Sequence, residues 1–143
     1  MTNKSNIPDN LFKTQQFKVV FPKHLNSNGT FFGGEAMQWL DEVAFITATR
    51  YTRQRMITVK VGNIRFLKPI LPNTILEIVG KIVKTGNVKI FIKVEVFSED
   101  MYSQSRERMM EADFVFASIA IQRSLISRVC HTEKMFVPIV GKK

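Results

Sequence analysis

An aspartate stands where helix periodicity expects an apolar residue, and an amide-rich loop ending in two glycines precedes it. Placing residues 34–53 at steps of about 100° gathers Met37, Leu40, Ala44, Ala48 and Tyr51 into one stripe, with Glu35, Gln38, Glu42 and Thr49 opposite. Asp41 falls about 40° from Met37, inside that stripe. A carboxylate facing a core costs several kcal/mol unless it is paired or hydrogen-bonded. Two roles satisfy that demand: a structural aspartate held by backbone donors or an arginine, or a general base or nucleophile in a partly dry cleft. Upstream, His24-Leu25-Asn26-Ser27-Asn28-Gly29-Thr30-Phe31-Phe32 leads into Gly33-Gly34 at the helix start. Two glycines let another molecule approach the backbone, and the first helical turn leaves N–H groups without internal acceptors. Those donors suit a developing oxyanion at Gly33 and Gly34, although a plain N-terminal turn has the same composition. Asp41 lies two turns further on, about 10 Å along the axis, too far to act with the glycines on one bond within a single subunit.

The elements that must position these groups are legible from periodicity. Phe17, Val19 and Phe21 alternate with Lys18 and Val20, a first strand that Pro22 stops. One long helix is expected from about Gly34 to Arg53. Ile57 to Phe66 reads as a strand whose apolar phase switches at Gly62-Asn63, which predicts a β-bulge there. Ile75–Val83 and Val88–Phe97 flank Lys84-Thr85-Gly86-Asn87, where glycine and asparagine are expected to supply the positive φ of a tight hairpin. In the second arm Val88, Ile90, Ile92, Val94 and Val96 share one face, so the sheet packs one side on something. Glu111 to Ile121 is the last strand, after a polar loop from Ser98 to Arg108. The tail from Leu125 is expected to be irregular and available as an oligomer contact. One helix followed by strands predicts an α+β fold with the helix against a single antiparallel sheet.

The chain has 143 residues, room for one compact domain over 1–143, with a core at about 14–122 and a tail at 123–143. Its mixture of 45% hydrophobic and 23% charged residues excludes intrinsic disorder over most of the length. No apolar run approaches the roughly 20 residues that cross a bilayer, Met1–Asn10 lacks the apolar core of a secretory signal, and Cys130 has no cysteine to pair with. A cytoplasmic protein without membrane insertion is expected. Net charge is +9, and between Val43 and Val94 ten basic residues face one acid, Glu77. Such an excess attracts polyanions: nucleic acid, an acidic membrane or a phosphorylated cofactor, if it is not simply a solvated surface. No basic amphipathic helix, zinc-finger spacing or aromatic RNA-binding motif accompanies it, which argues against nucleic acid. No Cys/His cluster has metal-ligand spacing.

His24-x-Asn26-x-x-Gly29-x-x-Phe32-Gly33-Gly34, followed by Trp39-Leu40-Asp41-Glu42-Val43-Ala44, resembles the hot-dog-fold acyl-CoA thioesterases, nearest the YciA-like and cytosolic acyl-CoA hydrolases. The similarity continues through Ile57-Thr58-Val59, Phe66-Leu67-Lys68-Pro69-Ile70, Gly86 and Val94-Glu95-Val96, roughly residues 16–121. The resemblance implies one long helix wrapped by a five- to six-stranded antiparallel sheet. It implies a homodimer paired edge to edge, assembling into a trimer of dimers, with active sites at the dimer interface. It puts the catalytic pair at Asn26 and Asp41, from different protomers, which removes the distance problem. It places substrate contacts at Val61, Gly62, Lys84, Gly86 and Asn87. Where the family usually has Ser or Thr after the hairpin glycine, this chain has Asn87-Val88. Coenzyme A then enters as part of the substrate, with no separate cofactor and no metal, and its phosphates meet the basic segment.

The chemistry matches so small a set of groups. A thiol with a pKa near 8.5 leaves as thiolate without a strong general acid. Asp41 would activate water or attack the carbonyl, Asn26 would orient water or substrate, and the N–H groups at Gly33 and Gly34 would hold the tetrahedral oxygen. His24 competes as base, while His131 has no partner motif. Two other classes stand beside the hydrolase: a non-catalytic acyl-CoA binder, and a hot-dog hydratase or dehydratase, which needs a histidine–acid pair. Trp39 and Ile46 lie on the helix's polar side, where burial in an oligomer is expected, and Glu42 is expected to offset Arg50 or Arg53.

Overall fold

The computed structural model describes residues 12–119 and 137–140. Cys130, His131 and most of the tail from Leu125 lie outside the described residues. The chain forms β1 (Lys13–Val19), a 3-10 turn at Pro22–His24, α1 (Gly33–Thr52), β2 (Met56–Phe66), β3 (Thr74–Thr85), β4 (Lys89–Asp100) and β5 (Glu107–Ser118). The five strands make one antiparallel sheet in the order β1-β3-β4-β5-β2, with α1 laid on one face. The sequence expectation of one helix on an antiparallel sheet holds, with five strands among the described residues.

Alternation explains the packing. Ile90, Ile92, Val94 and Val96 of β4 and Phe114 and Phe116 of β5 turn toward the helix and are buried. Glu77, Glu95, Glu111 and Asp113 face the other way, where Arg106, Arg108, Lys93 and the side-chain amide of Asn63 pair with them. β2 and β1 are the sheet's edges, and β2 leaves Ile57, Val59, Val61, Ile64 and Phe66 largely in solvent.

The structure corrects several expectations. α1 buries Ala36, Trp39, Leu40, Val43, Ala44, Thr47 and Ala48, so Leu40, Ala44 and Ala48 of the expected stripe face inward, but the stripe is rotated toward Trp39 and Val43 and leaves Met37 and Tyr51 at its edge. The reason is steric: small residues let the helix approach the sheet closely, and the larger Met37 and Tyr51 pack at the flank. Trp39 is buried within its own chain against Phe31 and His24, with the Lys18 ammonium 4.8 Å from its ring centre. Glu42 pairs with Lys18 at 3.1 Å, not with Arg50 or Arg53. β1 ends at Val19, and Phe17 and Phe21 are exposed. β4 runs on to Asp100 and β5 starts at Glu107, shortening the polar loop between them. At the β3–β4 hairpin neither Gly86 nor Asn87 has a positive φ. Gly86 serves close approach instead: its N–H donates to Lys89 O at 2.7 Å, and a Cβ there would stand 3.3 Å from that oxygen. The bulge at Gly62-Asn63 is present, with Asn63 at φ 49° and a register shift between Gly62 and Arg65; a second shift lies between Thr58 and Lys60. The four described tail residues, 137–140, lie along their own chain: Val137 N–H donates to Ser118 O and Ile139 N–H to Asn87 O.

Candidate active site

The loop before α1 is a closed turn. His24 O accepts the Phe32 N–H at 2.9 Å, Asn26 N–H donates to Thr30 O at 2.8 Å, and Gly29 takes φ 76°, a conformation glycine adopts without Cβ strain. Inside it the Asn26 side chain bonds to its own loop three times: Oδ1 accepts the N–H groups of Asn28 at 2.8 Å and Thr30 at 3.2 Å, and Nδ2 donates to Thr30 Oγ1 at 2.9 Å. Phe31 N–H donates to Ile70 O at 2.8 Å, which ties the loop to the Phe66–Ile70 segment. Between them opens a pocket of about 390 Å³, with Asn26, Thr30 and Gly33 on one side and Phe66 to Ile70 on the other. The structure therefore brings together three of the pieces that the sequence singles out separately. A Cβ at Gly33 would lie 3.6 Å from Phe66 Cζ, so the ring stands directly over the helix N-terminus. Gly34 is one position on and does not line the pocket.

Asp41 departs from expectation. With the buried stripe rotated, it sits on the flank of α1, partly exposed in the single chain instead of facing the core. It is neither adrift in solvent nor held by an arginine: Thr58 Oγ1 of β2 donates to Asp41 Oδ1 at 2.8 Å. Thr58 is a partner of Asp41 that the sequence reading did not single out. Its signal was available, since it is the polar position that follows Met56 by two on the helix-facing side of β2. Asp41 and Thr58 are not among the residues lining the Asn26 pocket.

The expected substrate contacts are not brought together at one site, and none of them lines the Asn26 pocket. Gly62 lines an apolar groove of about 310 Å³ with Lys60, Asn63, Val83, Phe91 and Val115. Lys84 does not line this groove; its ammonium lies 5.6 Å from the ring centre of Phe91, which does. Val61 pairs with Phe114, and Gly86 and Asn87 close the hairpin beyond without lining the groove. None of Asn26, Gly33, Asp41 and Thr58 lines this groove. His24 does not serve as base: its Nδ1 accepts the Phe21 N–H at 3.0 Å, its ring packs edge-on to Trp39, and it does not line the pocket. A ring whose Nδ1 accepts carries its proton on Nε2 and has no free lone pair to offer. Among the described residues no helix is long and apolar enough to cross a membrane.

Residues 28–104 match the thioesterase superfamily. A Haemophilus influenzae protein named an uncharacterized acyl-CoA thioester hydrolase is 33% identical over 116 residues, 80% of this chain and 75% of the relative. A hexameric thioesterase from Yersinia pestis superposes with a TM-score of 0.68 at 29% identity, covering 76% of this chain and 87% of the other. The acyl-CoA hydrolase of Staphylococcus aureus, solved with butyryl coenzyme A, coenzyme A and coenzyme A disulfide, superposes with a TM-score of 0.76 at 22% identity, over 94% of this chain and 77% of the other. That hydrolase has also been solved as variants with alanine replacing an asparagine, an aspartate and a threonine.

Proposed function

This chain belongs to the thioesterase superfamily, and from that premise we propose that it hydrolyses acyl-CoA thioesters to a carboxylic acid and coenzyme A, at a site shared between two copies of the chain. The observation that carries the reading is the division of the reactive groups. Asn26 and Gly33 converge on one pocket, while Asp41 projects from the same helix to the free edge strand β2. An exposed apolar edge strand of eleven residues is a template for pairing. A second copy paired antiparallel about a two-fold axis at Val61, the midpoint of β2, sets Ile64 opposite Thr58 and Phe66 opposite Met56. Asp41, tied to Thr58, then stands beside the Phe66 wall of the other copy's pocket. Burial in that interface supplies the dry surroundings that the single chain lacks at Asp41.

In this arrangement Asp41 acts as base toward water or as nucleophile toward the carbonyl carbon, and Thr58 holds its carboxylate in place through one oxygen. Asn26 and the N–H groups of the first helical turn face the carbonyl oxygen. Attack forms the carbon–oxygen bond and a tetrahedral oxyanion, whose collapse breaks the carbon–sulfur bond and expels the thiolate. The thiolate takes up the proton removed from water and leaves as coenzyme A. Where Asp41 itself attacks, water then cleaves the acyl–Asp41 anhydride to release the acid. Coenzyme A is thus product, not cofactor. Its phosphates are matched by the basic β3–β4 region, Lys84 included. The copies pair as dimers, and three dimers associate.

The test is release of free thiol from short, medium and long acyl-CoAs by the purified chain. Turnover with at least one of them is expected; none with any would favour a non-catalytic acyl-CoA binder. Asp41→Asn is expected to lose at least about a hundredfold in kcat with the fold intact by circular dichroism. Wild-type rates in that variant would remove Asp41 from the mechanism.

A further inference from the structure

We propose that Thr30 is a positioning residue for Asn26: two backbone N–H groups hold the amide oxygen, and the Thr30 hydroxyl takes one amide hydrogen and so sets the angle at which the other N–H meets the pocket. The proposal rests on the hydrolase reading and assigns the direction in which Asn26 works within it. A carboxamide has two acceptor lone pairs on oxygen and two hydrogens on nitrogen. Both acceptor directions of Asn26 Oδ1 are taken by the backbone N–H groups of Asn28 and Thr30, at 2.8 and 3.2 Å. The opposite amide orientation would set an NH₂ group against two N–H donors, so the bonds themselves decide which end is oxygen. On the nitrogen side one hydrogen goes to Thr30 Oγ1 at 2.9 Å. One hydrogen remains, on a residue that lines the pocket beside Gly33. A group that can only donate is matched to the thioester carbonyl oxygen, which gains negative charge as the carbon is attacked. It is mismatched to accepting a proton from water. Asn26 therefore joins the helix N–H groups in holding the oxyanion, and proton removal falls to Asp41.

Among the described residues, Thr30 supplies the one side-chain bond to this amide and so limits its tilt. Terminal amide torsions are broad and weakly held by themselves, and Thr30 grips Asn26 three times, through its N–H, its carbonyl and its hydroxyl. The two backbone bonds survive any substitution that keeps the turn; the hydroxyl does not.

Thr30→Val keeps the branched shape and removes the acceptor. Its kcat for the best acyl-CoA is expected to fall about ten- to hundredfold, less than the 10²–10³ of deleting an oxyanion donor outright, with KM within about twofold. Thr30→Ser restores kcat to within about threefold. In an Asn26→Ala background Thr30→Val costs nothing further, because there is no amide left to hold. The assignment is overturned if Thr30→Val leaves kcat within twofold of wild type, if it raises KM alone, or if it costs the same factor with and without Asn26. Should Thr30→Val fail to fold, Thr30→Ala replaces it in the same cycle. Wild-type thiol release is the control: a wild-type chain that releases none overturns the hydrolase reading and this assignment with it, whereas an active wild type with an indifferent Thr30 overturns this assignment alone.

Discussion

Glu77 is nearly excluded from solvent on the face of β3 opposite the helix, and it keeps its charge through its neighbours. Arg106 Nε donates to its Oε2 at 2.8 Å and the Gln15 amide donates to Oε1. The Arg106 hydrogen bond is the largest influence and outweighs burial, so the carboxyl titrates below its ordinary value. A carboxylate depressed in the folded state contributes stability that is present above the unfolded pKa and disappears as pH falls through the folded one. The wild-type chain is therefore expected to lose thermal stability as pH drops below about 4.5, the ordinary glutamate value. Arg106→Gln should have a lower Tm at pH 7 and a shallower further loss in acid, because its Glu77 is no longer held down. Thermal melts between pH 7 and 3 decide it, and parallel curves for the two proteins would reject the linkage. Asp41 is the contrasting residue: it too lies beside a donor, but its partner Thr58 is neutral and its surroundings are open in the single chain. The sequence marked Asp41 as unusual for a reason that proved only half correct, because a helix's rotation is decided by what it rests on.

That rotation is an element-scale matter, and Gly80 shows what sets it. A Cβ at Gly80 would stand 2.6 Å from Thr47 Oγ1 and 3.1 Å from Val43 Cγ1, so α1 comes down on β3 where there is no side chain. Thr47 cannot yield easily, since it is fully buried and its hydroxyl donates to Val43 O at 2.7 Å. Gly80→Ala is therefore expected to destabilise by about 1–3 kcal/mol through overpacking, and not through backbone strain, as Gly80 has no positive φ. Urea unfolding measures it; an unchanged midpoint would mean that the helix is free to lift. Strand existence, the phase of β4 and the bulge in β2 were legible, because alternation and a glycine–asparagine pair are local signals. The hairpin at Gly86-Asn87 was found for a mistaken reason: the glycine is needed for space beside Lys89 O, a contact that only the closed turn creates.

At the scale of the whole molecule, the proposed shared site depends on the free edge of β2. Val59 sits at the register shift between Thr58 and Lys60, 38% exposed on the free edge. A lysine there is the device that edge strands use against pairing. Val59→Lys is expected to yield a folded monomer by light scattering and circular dichroism, with thiol release lowered at least about tenfold, because Asp41 no longer meets a second copy's pocket. A variant that stays oligomeric and active would show that β2 is not the contact. The +9 charge, concentrated between Val43 and Val94, belongs to this scale too, as a field that gathers an anionic substrate before any single contact forms.

By itself the sequence determined the element types, the turn before the helix and the bulge, since each depends on neighbours a few positions away. Only the tertiary structure decided which way α1 turns, that Thr58 meets Asp41, that Thr30 locks Asn26 within its turn, and that the Phe66–Ile70 segment closes the pocket opposite Gly33. Those depend on which surfaces approach across the sheet and around the loop, and close packing sets such approaches by shape contributed from distant parts of the chain.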